Sequence, residues 1–331
     1  MKNKDTILVT GGAGFIGSHL VDSLCLKYNV IVIDNLSSGK KSNLKKVIGK
    51  IKFYKLDLSK LDVKEFCKKI PKLKFIFHLA SLADIVPSIE NPIEYINSNV
   101  VATYKILEIA KIKKIKKIIY SASSSCYGIA KDIPTNINSK IDTQYPYAHS
   151  KYIGELAIKH WSKVYNINFI SFRFFNVYGP RARTNGTYGA VFGTFLAQIL
   201  NKVPITVVGD GKQKRDFIYI SDVIDLLTKS IKSNIVNRTY NVGFGKPRSI
   251  NQLIKMFNYN KIVYIPKRPG EPYVTHAEIS NTKKDFKWRP KVDLEKGVKI
   301  MIDNISYWKD APVWTKNKIK KATKLWFEKL S

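Results

Sequence analysis

A short apolar strand that runs straight into a glycine-rich turn and then a helix is the strongest constraint in this chain. Ile7–Thr10 is largely β-branched, Gly11–Gly17 reads GGAGFIG, and an amphipathic stretch, Ile16–Lys27, follows. Gly12, Gly14 and Gly17 satisfy G-x-G-x-x-G in the strand–turn–helix setting that gives the spacing meaning. Glycines there permit a tight turn and close backbone approach to a pyrophosphate. The helix start adds free N–H donors and partial positive charge. Gly11, Gly14, Phe15, Ile16 and Gly17 are therefore assigned to a dinucleotide.

Strand–helix alternation continues from this start. Val30–Asp34, Ile51–Leu56, Phe75–Leu79, Ile118–Ala122 and Phe169–Phe174 read as buried strands, with helices over Asp62–Lys68, Pro92–Lys111 and Pro146–Tyr165. Continuous apolar strands of this length suit a parallel sheet. The expected fold class is α/β, a doubly wound parallel Rossmann-type sheet with ligands at the carboxyl ends of its strands. Beyond Gly179 the pattern loosens: Pro180–Gly189 reads as a loop, Ala190–Leu200 and Asp222–Ser230 as helices, Ile205–Val208 as a short strand and Thr239–Val242 as the last strand. The expected domains are 1–178, with 216–245 contributing, for the dinucleotide, and an interleaved, smaller C-terminal domain, mainly 179–331, for the substrate. The stretch from Tyr307 to Leu330 carries Trp308, Trp314 and Trp326 among lysines and is expected to pack as a cap.

Composition removes several function classes. No apolar run reaches the length of a membrane span, the first strand begins too early for a signal peptide, and three scattered cysteines give neither a disulfide framework nor metal-ligand spacing. A cytoplasmic enzyme without a metal is the expectation. The formal charge of +32 raises a polyanion partner. Its lysines are spread along the chain, however, and the densest run, Lys111–Lys117, has no nucleic-acid motif beside it. No nucleic acid and no membrane are expected as partners. The positive field helps attract a diphosphate instead.

Chemistry concentrates at a few positions. Asp34 ends the second strand, where a carboxylate accepts bonds from both ribose hydroxyls and repels a 2′-phosphate, selecting NAD over NADP. The DNLSSG stretch adds Asn35, Ser37, Ser38 and Gly39, and KLDLS adds Asp57 and Leu58, with Asp57 either facing the adenine or capping the strand end. Tyr147 and Lys151 lie four apart at a helix start and share one face. A neighbouring ammonium favours the phenolate and lowers a phenol's pKa, so the pair is a candidate general acid/base. Ser121–Gly128, SASSSCYG, places hydroxyls at the binding edge, where Ser123 or Ser124 can hydrogen-bond a reacting oxygen.

The ordered set TGGAGFIGSHL, DNLSSG, HLAS, SASSSCYG, YAHSK, RFFNVYGPR, GDGKQKRDFIYISDV, YNVG and KRPGE resembles the extended short-chain dehydrogenase/reductases, in particular the nucleotide-sugar epimerase/dehydratase family, over about residues 5–300. The resemblance implies NAD as cofactor, with Leu79, Ala80, Ser81, Ala83, Asn99 and Phe175 also lining its site. It implies Tyr147 as the base, Lys151 on the nicotinamide ribose and Ser123 as the catalytic hydroxyl. For the substrate it implies Asn176, Ala190 and Val191, a diphosphate clamp of Arg215 and Arg268, and Glu271 on the nucleoside ribose. It also implies a homodimer built on a four-helix bundle, with Tyr95–Ala110 and Tyr147–Tyr165 as its helices.

Within that family, 4,6-dehydratases carry Asp-Glu where this chain has Ser124 and Ser125, and uronate decarboxylases usually keep the Glu. Hydroxyls cannot replace that pair. Cys126 lies one position past the cysteine of 3,5-epimerase/reductases and reads as a buried apolar residue. The remaining expectation is 4-epimerisation of a UDP-sugar. Thr275, Ala83 and Ala190 are small where wall residues are expected, which leaves room for an N-acetyl group. Dehydratase, uronate 4-epimerase and decarboxylase activities are the alternatives on this scaffold. A nucleic-acid-binding module and a catalytically silent NAD sensor are the remote ones.

Overall fold

The structure, a computed structural model, describes residues 4–182 and 191–330. Six strands come first: β1 (Thr6–Thr10), β2 (Asn29–Asp34), β3 (Ile51–Lys55), β4 (Phe75–His78), β5 (Lys117–Ser123) and β6 (Phe169–Phe174). Seven more follow among the described residues: β7 (Asn176–Tyr178), β8 (Ile205–Val208), β9 (Lys214–Arg215), β10 (Phe217–Tyr219), β11 (Arg238–Val242), β12 (Arg248–Ser249) and β13 (Ile262–Ile265). The main sheet is seven-stranded, in the order β11-β6-β5-β4-β1-β2-β3, and every pairing in it is parallel.

Its central strands are buried on both faces, because successive residues serve opposite sides. Ile7, Val9, Val32 and Phe77 pack with Leu20, Val223 and Leu227 on one side. Leu8, Ile31, Ile33 and Ile76 pack with Phe66, Ile106 and Ile158 on the other. The strand order reverses between β1 and β4, which opens the crevice used by ligands in such sheets. Hydrogen bonds lace that crevice. Thr10 Oγ1 lies 2.8 Å from His78 Nδ1 and accepts from the Leu79 and Ala80 N–H groups, both at 3.2 Å. His78 Nε2 lies 2.9 Å from Thr103 Oγ1. Burial, with Lys151 nearby, holds the imidazole down to about 3, so it stays neutral.

Two features depart from the sequence expectations. The helix expected over Pro92–Lys111 contains a π turn at Asn97–Val101 between Pro92–Ile96 and Ala102–Lys113; such a turn re-aims a side chain within a helix. Arg238–Val242 is not the last strand either. β12 pairs antiparallel with β9, and β13 pairs parallel with β8. These short pairings depend on partners distant in sequence, so no local pattern announces them. They stand beside a second core built from Phe192, Leu196, Val207, Phe217, Leu253 and the fully buried Trp308. No helix among the described residues is long and apolar enough to cross a membrane.

Candidate active site

One cavity of about 650 Å³ spans the carboxyl edge of the sheet and the second core, with the glycine turn at one end and Arg215 and Arg268 at the other. At the glycine turn, Gly11 has φ +67°, and a Cβ there would lie 2.7 Å from Ala80 N; a Cβ on Gly17 would lie 2.1 Å from Gly11 O. The turn thus closes tightly against the loop after β4. Helix Phe15–Leu24 begins at it with no acidic residue in its first turn, leaving its positive end to an anion. Gly11, Gly14, Phe15, Ile16 and Gly17 all line the cavity.

Asp34, at the end of β2, accepts from Ala13 N at 2.9 Å and from Leu36 N at 2.8 Å. Burial pushes its carboxyl pKa up, and the backbone N–H groups of Leu36, Ala13 and Gly14 oppose that. The carboxylate therefore shapes both the glycine turn and the DNLSSG turn while lining the cavity. Asn35, Ser37 and Ser38 line it too, but Gly39 does not. The Lys40 N–H donates to Ala13 O at 3.1 Å and folds that segment beneath the glycine turn. Asp57 serves as a cap and lines the cavity. It caps a short turn by accepting from Ser59 N and Oγ, at 2.9 and 2.7 Å, and with Leu58 it faces the cavity. Leu79, Ala80, Ser81, Ala83 and Phe175 are on the wall.

Asn99 is not on that wall. It sits buried on the π turn, where its Oδ1 accepts from Leu82 N at 2.9 Å and its Nδ2 donates to Leu82 O at 3.0 Å and Ser150 Oγ at 2.9 Å. It shapes the cofactor-side loop from behind, because the π turn aims its amide at backbone. These features fit NAD: a tight backbone turn, an open helix start and an acceptor at the end of the second strand. Asp34→Ala is expected to weaken NADH binding about tenfold, the value of one charge-assisted hydrogen bond, in a fluorescence titration.

Helix Pro146–Tyr165 carries the Tyr–Lys pair to the centre of the cavity. The Tyr147 hydroxyl donates to Ser123 Oγ at 3.2 Å, and Ser123 Oγ lies 2.6 Å from Ser125 Oγ. Ser123, Ser124 and Ser125 all line the cavity, but Ser125 is the second hydroxyl joined to Tyr147 and Ser123. The sequence points to Ser123 or Ser124 and does not single out Ser125. The three residues enter a 3-10 turn, Ser124–Tyr127, capped by Ser123, and that turn brings alternate hydroxyls together.

The expectation that Lys151 pulls the phenol below its ordinary value does not hold in this arrangement. Burial pushes the Tyr147 phenol up, and only its hydrogen bonds with Ser123 and Ser125 work against that. Lys151 is itself held down to about 7 by burial, with Glu155 opposing. Its Nζ lies 4.6 Å from the Tyr120 ring centroid. Helical spacing puts the two residues on one face, but desolvation decides their charge.

Behind them stands a buried network that sequence reasoning did not find. Arg173 on β6 donates from Nε and Nη2 to the two carboxylate oxygens of Glu155, at 2.9 and 2.8 Å. Its Nη1 donates to Tyr127 OH at 2.8 Å, and that hydroxyl donates to Asn241 Oδ1 at 2.7 Å. Cys126 is buried beside it, its thiol pushed up by burial to about 12. The network anchors the serine-bearing turn to β6 and β11.

At the far end, Glu271 bridges the two arginines: Arg268 Nη1 donates to Oε1 at 2.7 Å and Arg215 Nη2 lies 3.5 Å from Oε2. Two guanidinium groups share one carboxylate, so the wall keeps net positive charge. Thr275 Oγ1 donates to Asn176 Oδ1 at 3.1 Å and accepts from Asp216 N at 3.1 Å. Asn176, Thr275 and Val191 line the cavity; Ala190 lies outside the described residues.

A doubly wound sheet whose glycine turn and Tyr–Lys helix open onto the same cavity defines an α/β scaffold of the dinucleotide-binding kind. Residues 7–243 match the NAD dependent epimerase/dehydratase family, and the chain belongs to it. NAD is its cofactor. It is 35% identical to a putative UDP-glucose 4-epimerase of Methanocaldococcus jannaschii, covering 90% of this chain and 97% of that one. Among solved structures it is similar to the UDP-N-acetylglucosamine 4-epimerase from Methanobrevibacter ruminantium M1 in complex with UDP-N-acetylmuramic acid, with 35% identity, a TM-score of 0.84 and coverage of 92% and 100%. It also resembles the UDP-glucuronic acid 4-epimerase from Bacillus cereus in complex with UDP-glucuronic acid and NAD, with 30% identity, a TM-score of 0.83 and coverage of 91% and 99%.

Proposed function

We propose that the protein is an NAD-dependent isomerase that inverts C4 of a UDP-sugar through a transient 4-keto stage. The observation that carries this reading is the Tyr147–Ser123–Ser125 hydroxyl cluster, set in one cavity between the glycine turn and the Arg215–Arg268 wall. When bound, NAD would supply the acceptor for the C4 hydride and, once reduced, the donor that returns it to the opposite face of the keto sugar; its oxidised form would also add positive charge that favours the phenolate. Tyr147 takes the proton of the sugar 4-hydroxyl and later returns it. Ser123 hydrogen-bonds the same oxygen and steadies its developing charge. Lys151 reaches the nicotinamide ribose. Arg215 and Arg268 hold the diphosphate, with bidentate geometry available to each guanidinium, and Glu271 turns to the nucleoside ribose once phosphate takes its place between them. Asn176, fixed by Thr275, addresses the diphosphate–sugar junction. With residues 1–178 and part of 216–245 holding NAD, and 179–331 mainly the nucleotide sugar, the sugar can rotate between the two halves.

Elimination of water is disfavoured by chemistry at the centre: hydroxyls of Ser124 and Ser125 stand where a dehydratase needs an acid and a base. The small Thr275 and Ala83 favour a UDP-N-acetylhexosamine, with plain hexoses also accepted. Incubation with a panel of UDP-sugars, read by proton NMR, is expected to give the C4 epimer with no net NADH. A keto-deoxy or decarboxylated product would replace this reading by one of the alternatives.

A cytoplasmic setting is in keeping with three free, buried cysteines. The homodimer is proposed through helices Ala102–Lys113 and Pro146–Tyr165. On these helices Leu107, Ala110 and Ile158 are taken up by the chain's own core. Tyr104 and Leu156 stay exposed beside Val164 and Tyr165, with the Trp161 ring 6.1 Å from Tyr104 and 4.5 Å from Tyr165. Sedimentation equilibrium is expected to return twice the chain mass.

A further inference from the structure

The last two described helices, Lys316–Ala322 and Lys324–Leu330, lie beyond every motif used so far. Lysines dominate their exposed face, yet Trp326 is only 1% exposed and lines the cavity. Its indole Nε1 donates to Pro269 O at 2.9 Å, and its ring lies 5.2 Å from the Arg268 guanidinium carbon. Leu330 reaches the same loop, its Cδ1 lying 3.7 Å from where a Cβ on Gly270 would stand. Helix Lys324–Leu330 also packs on helix Ile85–Glu90, which follows the cavity-lining Ala83. One short helix thus touches two lining segments of the cavity and grips the KRPGE loop by its backbone and by its arginine.

Resting on the nucleotide-sugar reading above, we infer that Trp326 is a positioning residue for substrate: its indole holds Arg268 aimed at the diphosphate, and the helix that carries it straps the Arg268 loop to the sugar wall. Arg268 on an open loop would lose rotamer freedom on binding phosphate. Seated on an aromatic face and joined to Glu271, it is already oriented when substrate arrives, and the exchange of Glu271 for phosphate leaves the ring contact in place. The indole N–H fixes the loop while the π face fixes the cation, so two changes separate the effects. Trp326→Phe keeps a π face and loses the N–H. Trp326→Leu fills much of the space and keeps neither.

The test is calorimetric binding of UDP to the full chain, with NADH binding measured beside it. Trp326→Leu is expected to weaken UDP about tenfold, within the range for a desolvated cation–π contact, and Trp326→Phe no more than about threefold, with NADH affinity unchanged in both. KM for the UDP-sugar follows UDP affinity, and kcat moves less than KM. Combined with Arg268→Ala, Trp326→Leu adds little, because the ring acts through that arginine. Equal UDP binding by the Leu variant and wild type, equal losses in Leu and Phe, or losses additive with Arg268→Ala overturn the positioning role while leaving the nucleotide-sugar reading intact. Wild-type protein that ignores UDP removes both at once.

Discussion

Tyr147→Phe is expected to lower turnover about a thousandfold, in the middle of the range for loss of a positioned general acid/base, while NADH binding stays within about twofold of wild type. The ring itself is well supported. It meets Tyr95 edge-on at 6.4 Å and lies parallel to Tyr145 at 6.3 Å, so phenylalanine keeps the packing and removes only the hydroxyl. Burial raises this phenol's pKa, and two serine hydroxyls are its hydrogen-bond partners. The deprotonated form therefore depends on Ser123, Ser125 and the charge that oxidised NAD brings. NMR-monitored turnover of the accepted UDP-sugar, set beside a fluorescence titration with NADH, reads both quantities. A loss of less than tenfold removes Tyr147 as the proton carrier.

Glu155→Gln is expected to destabilise the fold by about 3 kcal/mol, because it leaves Arg173 charged and buried against a neutral partner. Glu155 and Arg173 are 1% and 3% exposed. Lys159, which also pairs with Glu155, is 35% exposed, so Lys159→Ala is expected to cost less than about 1 kcal/mol. Urea unfolding of the two variants compares them directly, and equal costs would show that the buried pair has no special weight. Burial opposes the Glu155 charge, but the Arg173 and Lys159 contacts outweigh it and hold its pKa below the ordinary 4.5. A folded pKa below the unfolded one gives stability that is present above about pH 4.5 and lost as pH falls through the lower, folded value. Glu155→Gln therefore flattens the acid limb of the stability profile. The serine turn should loosen with it, since Arg173 holds Tyr127 at the end of that turn.

The glycine turn, Asp34 and the Tyr147–Lys151 pair were legible because neighbours in sequence make each of them. A turn, a strand end and an i,i+4 spacing are all local. Arg215, Arg268, Glu271 and Asn176 came only through family resemblance; on their own each reads as a surface charge or a loop residue. Ser125 carried a signal, since a short turn after β5 joins alternate serines, but a flat run of three hydroxyls gave no reason to prefer it over Ser124. Asn99 sits behind the loop it bonds rather than on the cavity wall, because a π turn within a helical pattern shifts what each position faces.

Local patterns in the chain suffice for the parallel sheet, the dinucleotide turn and the phenol that lines the cavity. Those follow from periodicity and spacing over a few residues. Tertiary structure alone decided how charge sits there. Burial, set by the whole core, pushes the Tyr147 phenol up, where spacing to Lys151 alone suggests a pull down. It also paired Glu155 with Arg173 beneath the serine turn, and it brought Trp326 from the far end of the chain to Arg268. Such terms depend on which distant groups exclude water together, and nothing local in a sequence records that.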